Sequence, residues 1–186
     1  MVSNSKPNFL VIMSDEHGAQ FSSTYGHSII ETPSMDRLAA QGVTFDANYC
    51  NSPLCIPSRA SFMTGQYVST TEVWDNTKPM PVDKLTWPYL LRNEGYDTAL
   101  NGKMHLVGPD PLHGFDKQLS RDPHIENALP QYRWSDGIPQ ALEDWYGVRE
   151  ADPGVSPMIE ADDAMEKAAV EYLSDPARHE KPFAMC

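Results

Sequence analysis

Phe9-Leu10-Val11-Ile12-Met13, set between Pro7-Asn8 and the polar Ser14-Asp15-Glu16-His17-Gly18, is an unbroken apolar run of strand length. A run without polar alternation suits a strand covered on both faces, as in a parallel sheet flanked by helices, and not the half-exposed strand of an antiparallel one. Outward from this run the chain alternates helix and strand signals. Thr32 before Pro33, a stripe of Met35, Leu38 and Ala39, and Gly42 read as a helix over 33–41. Val43 to Tyr49 alternates apolar and polar residues and reads as a strand exposed on one face. Cys55 to Gly65 reads as a short helix with Pro57 in its first turn. Thr86 and Gly95 bracket a helix over 86–94 that feeds a strand at Tyr96-Asp97-Thr98-Ala99-Leu100, half of a right-handed βαβ unit. Ser156-Pro157 opens a helix whose apolar side holds Ile159, Met165, Ala169, Tyr172 and Leu173 and which ends before Pro176. Pro182 to Cys186 then enters another strand. This pattern predicts an α/β fold in three stretches: a core at 8–106, a loop-rich insertion at 107–157, and a helix with the start of a strand at 158–186.

Composition narrows the function. The 186 residues carry 14 Lys+Arg against 26 Asp+Glu, a formal net charge of −12. Affinity for a phosphate backbone comes from clustered Lys and Arg, so nucleic acid is excluded as a partner. The longest apolar run is a quarter of the roughly 20 residues a membrane helix needs, and too short for a secretory h-region, so a soluble, cytoplasmic chain without a membrane partner is expected. The three cysteines, Cys50, Cys55 and Cys186, show neither a Cys-x-x-Cys pair nor zinc spacing.

Two chemistry-bearing segments directly follow strands, and ligands of open α/β sheets bind outside the carboxyl ends of strands. Asp15-Glu16 follows the first strand and offers hard oxygen ligands of the kind Ca²⁺ or Mg²⁺ prefers; the same pair also fits a solvated acidic turn. Gly102-Lys103-Met104-His105 follows the strand ending at Leu100. If strand geometry continues, Lys103 and His105 point to one side as a cation and an acid/base; the alternative is an ordinary surface loop. Cys55, at a helix N-terminus one turn before Arg59, would sit in a field that lowers a thiol pKa and among backbone N–H groups that bind oxyanions. By residue type alone it also fits a small buried apolar site. Only Ile56-Pro57-Ser58 separates Cys55 from Arg59, too little for the phosphate cradle of a Cys-nucleophile phosphatase.

Cys55-Ile56-Pro57-Ser58-Arg59, with Ala60-Ser61-Phe62-Met63-Thr64-Gly65, closely resembles the signature of the type I, formylglycine-dependent sulfatases. Gly102-Lys103-Met104-His105-Leu106 resembles their second signature, and Thr32 to Ala39 with Gly42 to Phe45 is similar to a further segment in the expected order. The resemblance is dense over residues 8–108. It implies the N-terminal part of an alkaline-phosphatase-like α/β/α sandwich with a mostly parallel sheet, and a sulfuric ester hydrolase acting on small-molecule sulfate esters. It implies that Cys55 is converted by a formylglycine-generating enzyme to an aldehyde whose hydrate attacks sulfur. Asp15 would bind a divalent cation, typically Ca²⁺ with Mg²⁺ or Mn²⁺ as alternatives, shared with the Cys55-derived group; Glu16 stands where many members carry Asp. Arg59 would brace the nucleophile, Lys103 neutralise sulfate charge and His105 accept a proton. The family's remaining metal ligands have no counterpart assigned in this sequence, so the isolated chain is expected to be incomplete. Asp162-Asp163 reads as a solvated helix face and Cys186 as a buried strand residue. Trp74, Trp134, Trp145 and Tyr146 offer aromatic surface for a pocket or for local core. A phosphonate monoester or phosphodiester hydrolase on the same scaffold, and an inactive fragment that binds a partner through its sheet edge, are the alternatives. A homo-oligomer stays open.

Overall fold

Four short strands, β1 (Phe9–Leu10), β2 (Asp97–Leu100), β3 (Lys117–Gln118) and β4 (Phe183–Met185), form one sheet in the order β1-β4-β2-β3, and every pairing is parallel. The computed structural model describes residues 6–122 and 153–186. The register sets Thr98 opposite Ala184 and Ala99 opposite both Met185 and Lys117. Parallel neighbours need long crossovers, so strands distant in sequence meet: β4 enters between β1 and β2. The chain divides into two units, one of Met1–Val11 with Asn51–Cys186 and one of Ile12–Cys50.

In the first unit, helices α2 (Cys55–Thr64), α3 (Val68–Thr71), α4 (Trp87–Asn93) and α5 (Pro157–Ser174) accompany the sheet. Successive residues of a strand face opposite sides, and β2 shows what each side packs against. Leu100 joins Ile56, Ala60 and Met63 of α2 with Met80, Met104 and Phe115 in the larger core. Ala99 joins Met185 and Tyr172, with Ala169 and Leu173 of α5, in the smaller one. A helix therefore covers each face at β2, the layered α/β arrangement expected from the sequence. Trp87 bridges α4 to the larger core through edge-to-face contacts with Phe62 and Phe115.

The Pro and Gly punctuation locates the helices well. Pro33 opens α1 (Pro33–Gln41) in the second unit, Gly65 closes α2 at φ 67°, and the Ser156 hydroxyl accepts the Ile159 amide to cap α5. The hydroxyls at the other two starts serve different partners. Thr32 Oγ1 bonds the hydroxyls of Ser22 and Ser23, and Thr86 donates to the His113 carbonyl, tying α4 to the loop before β3.

Three expectations change. Residues 43–49 are irregular backbone: alternation specifies which face a strand would show but supplies no ladder partner, and here the Phe45 carbonyl accepts the Tyr25 hydroxyl instead. The first strand is shorter than its apolar run and is not covered on both faces. It lies at the sheet edge, with Phe9 and Leu10 42% and 48% exposed among the described residues. Strand β3 lies inside the stretch read as loop at 107–157. Most of that stretch, with Trp134, Trp145 and Tyr146, lies outside the described residues. Trp74 is exposed, and Asp162 and Asp163 lie on the solvated side of α5.

Candidate active site

Because the strands are parallel, their carboxyl ends share one edge, and the chain leaves that edge from β2 as Asn101-Gly102-Lys103-Met104-His105, from β3 as Leu119-Ser120-Arg121-Asp122, and from β4 as Cys186. Helix α2 meets this edge through Arg59, a residue 6% exposed whose guanidinium donates from Nη1 to the Lys103 carbonyl at 2.9 Å. Five donors in a planar fork make Arg suited to such a bridge while its charge stays buried. Cys55, partly buried, is the first residue of α2, one turn before Arg59.

The start of α2 corrects one expectation. A helix N-terminus leaves four backbone donors, which here belong to residues 54–57. The Leu54 amide is shared with Ser52 Oγ at 3.4 Å, the Ile56 amide goes to Asn76 Oδ1 at 2.9 Å, and Pro57 has none. The Cys55 amide is what remains of the anion-binding terminus, so an anion here would rest chiefly on side chains. Asn76 has no motif around it; its role follows only from the fold.

The Lys103–His105 segment does not continue as strand. Gly102 turns at φ 77° and His105 at φ 54°, so the expectation that Lys103 and His105 face one side by strand alternation fails, although both remain on the same partly buried loop. The loop is held on several sides. A Cβ on Gly102 would lie 2.5 Å from Met165 Sδ of α5, and Asn101 Nδ2 donates to the Met165 carbonyl at 2.9 Å. Asp122 Oδ2 accepts the amides of both Met104, at 3.0 Å, and His105. Asp122 is buried, and sequence reasoning missed it because it belongs to no motif. Cys186 lies just past β4 and packs against the larger core rather than standing within the strand; burial pushes its thiol up to about 11, against the pull of Arg59.

Arg59, Lys103 and His105 are thus brought together, with Cys55 on the same helix as Arg59. Asp15 and Glu16 belong to the Ile12–Cys50 unit, both exposed, Glu16 at φ 54°. Their hard oxygens fit Ca²⁺ or Mg²⁺ chemically. Among the described residues, no three His, Cys, Asp or Glu side chains gather closely enough to hold a metal ion, so the pair would be part of a ligand set only. No helix among the described residues is long and apolar enough to cross a membrane.

Comparison with known proteins bears on the family and the fold. The chain is 43% identical over 130 residues to a choline-sulfatase of Rhizobium meliloti, covering 69% of this chain and 25% of that protein. It superposes with a TM-score of 0.68 and 28% identity on a structure solved in complex with its substrate D-glucosamine-2-N,6-O-disulfate, covering 97% of this chain and 33% of that one. It superposes equally, at 0.68 but 23% identity, on a phosphonate monoester hydrolase of Agrobacterium radiobacter, over 97% of this chain and 40% of that one, a likeness of fold. The chain thus spans about a quarter to two fifths of these three proteins. The sulfatase family profile matches residues 7–186, nearly the whole chain, and with the ordered Cys55 and Lys103 motifs on one sheet edge it shows that the chain belongs to the sulfatase family.

Proposed function

We propose that the protein of which this chain forms part hydrolyses sulfate monoesters, with a formylglycine made from Cys55 as nucleophile. The observation that carries the reading is the bond from Arg59 to the Lys103 carbonyl, which joins the Cys55 helix to the Lys103–His105 loop at the carboxyl edge of the sheet. Formylglycine supplies a hydrated aldehyde: one oxygen forms a bond to sulfur as the alcohol oxygen leaves, and the second lets the resulting ester collapse back to aldehyde and free sulfate. In this scheme Arg59, fixed by burial, holds positive charge beside the nucleophile, and Lys103 neutralises the sulfuryl oxygens as charge builds on them. His105 takes the proton of the remaining hydroxyl at collapse. Asp15 and Glu16 offer hard oxygens for a divalent cation, most simply Ca²⁺, and such a cation would supply charge stabilisation to a sulfuryl group. Maturation would require a formylglycine-generating enzyme as a transient partner, and a cytoplasmic setting is part of the same proposal. A net charge of −12 with an anionic substrate confines positive potential to this crevice.

The alternative of a phosphonate monoester hydrolase has a specific observation behind it, the likeness of fold to the Agrobacterium radiobacter enzyme. Steady-state assay of the full-length, converted protein on paired aryl sulfate and phenylphosphonate esters separates the two. A higher kcat/KM on the sulfate is expected; preference for the phosphonate would replace this reading by the alternative.

A further inference from the structure

We propose that Asp122 is the positioning residue for His105, a role that rests on the sulfatase reading above. Asp122 leaves the sheet after β3, one strand over from the loop it holds, and is 4% exposed. One of its oxygens, Oδ2, accepts two successive amides, those of Met104 and His105. Successive N–H groups converge on one acceptor only where the backbone turns, and the turn is present: His105 has φ 54°, left-handed backbone that a residue with a Cβ adopts at a cost. The carboxylate offsets that cost by satisfying two amides, the Met104 one buried and the His105 one partly so. Met165 confines Gly102 and Arg59 holds the Lys103 carbonyl, both upstream of His105. Asp122 grips the backbone of His105 itself. Its carboxylate therefore fixes where the imidazole is carried relative to Arg59 and Cys55, without touching substrate.

A residue that only stabilises the fold would lower the amount of active enzyme, whereas a positioning residue lowers kcat in molecules that are fully folded. The test uses full-length, formylglycine-bearing protein and compares Asp122→Ala with Asp122→Asn, whose carboxamide oxygen still accepts both amides. Three quantities are read on each: kcat and KM on an aryl sulfate, the thermal midpoint, and hydrogen exchange at the Met104 and His105 amides. In Asp122→Ala kcat is expected to fall on the order of 100-fold, as for a misplaced catalytic group, with KM within about threefold and both amides deprotected. Asp122→Asn is expected to recover roughly tenfold of that loss and to keep the amides protected. Should Asp122→Ala fail to fold, Asp122→Glu, which displaces the oxygens by a methylene, takes its place with the same expected loss of kcat. Unchanged kcat, unchanged protection at His105, or an asparagine variant as impaired as the alanine one overturns the proposal. If the unaltered protein turns over neither sulfate nor phosphonate ester, the sulfatase reading fails instead, and the exchange data alone decide whether Asp122 holds His105.

Discussion

Arg59 shows how much one buried side chain carries at the residue scale. Its guanidinium bonds the Lys103 carbonyl from a nearly closed environment, so Arg59→Lys, which cannot reproduce the fork, leaves that carbonyl short of a donor. The expected cost is about 1–3 kcal/mol in denaturant unfolding, with a fall in kcat as the Lys103–His105 loop loses its tie to α2. An unaltered midpoint would contradict this. His113 makes a second residue-scale prediction. Its ring is 1% exposed, neither nitrogen has a hydrogen-bond partner among the described residues, and burial lowers its pKa from the ordinary 6.5 while the Asp110 carboxylate, 4.0 Å from Nδ1, pulls upward. A depressed value in the folded state means that the unfolded chain takes up the proton first as pH falls. His113 thus adds no pH dependence well above 6.5 and lowers stability as pH drops below it. Unfolding midpoints measured from about pH 8 to 5 should fall less steeply in His113→Gln than in the unaltered protein. Equal slopes would remove the argument. Arg59 was legible because a motif surrounds it, whereas His113, which only the fold buries, was not.

At the scale of elements, four of the helices were legible, α3 was not, and the loop that matters most was only half so. Pro33, Pro57, Gly65, Thr86, Gly95, Ser156 and Pro176 mark helix ends through chemistry that is local, a fixed φ or a permitted left-handed one, and so α1, α2, α4 and α5 fall within a residue or two of their expected positions. Strands are decided by partners instead. Residues 43–49 have the alternation but no ladder, while Lys117–Gln118 has little alternation and becomes β3 because Ala99 and Leu100 present a free edge. The Lys103–His105 loop was recognisable as a motif, yet its turn at His105 depends on Asp122, which no local pattern announces. Gly102 supplies a direct test of that loop. Gly102→Ala adds a Cβ at φ 77° and 2.5 Å from Met165 Sδ, so a loss of at least about 1 kcal/mol is expected from the backbone alone. Adding Met165→Ala should recover the steric part and not the backbone part. Full recovery in the double variant would show that φ at Gly102 is unimportant.

At the scale of the whole molecule, the chain supplies a parallel sheet edge with the proposed nucleophile position and three candidate catalytic groups, while covering a quarter of its choline-sulfatase relative. The core under the site should tolerate little: Met63, fully buried between α2 and the sheet, is expected to cost about 2–5 kcal/mol as alanine, read by thermal unfolding. Cation dependence belongs to the full-length protein. Chelation should abolish turnover and added Ca²⁺ restore it; activity indifferent to chelator would remove Asp15 and Glu16 from the mechanism. All of this chemistry stands on the fate of one thiol. Mass analysis of the tryptic peptide containing Cys55, taken from protein made in its native host, measures that fate directly. The account predicts the aldehyde, or its hydrate, in place of the thiol; an unmodified cysteine in every molecule would contradict it.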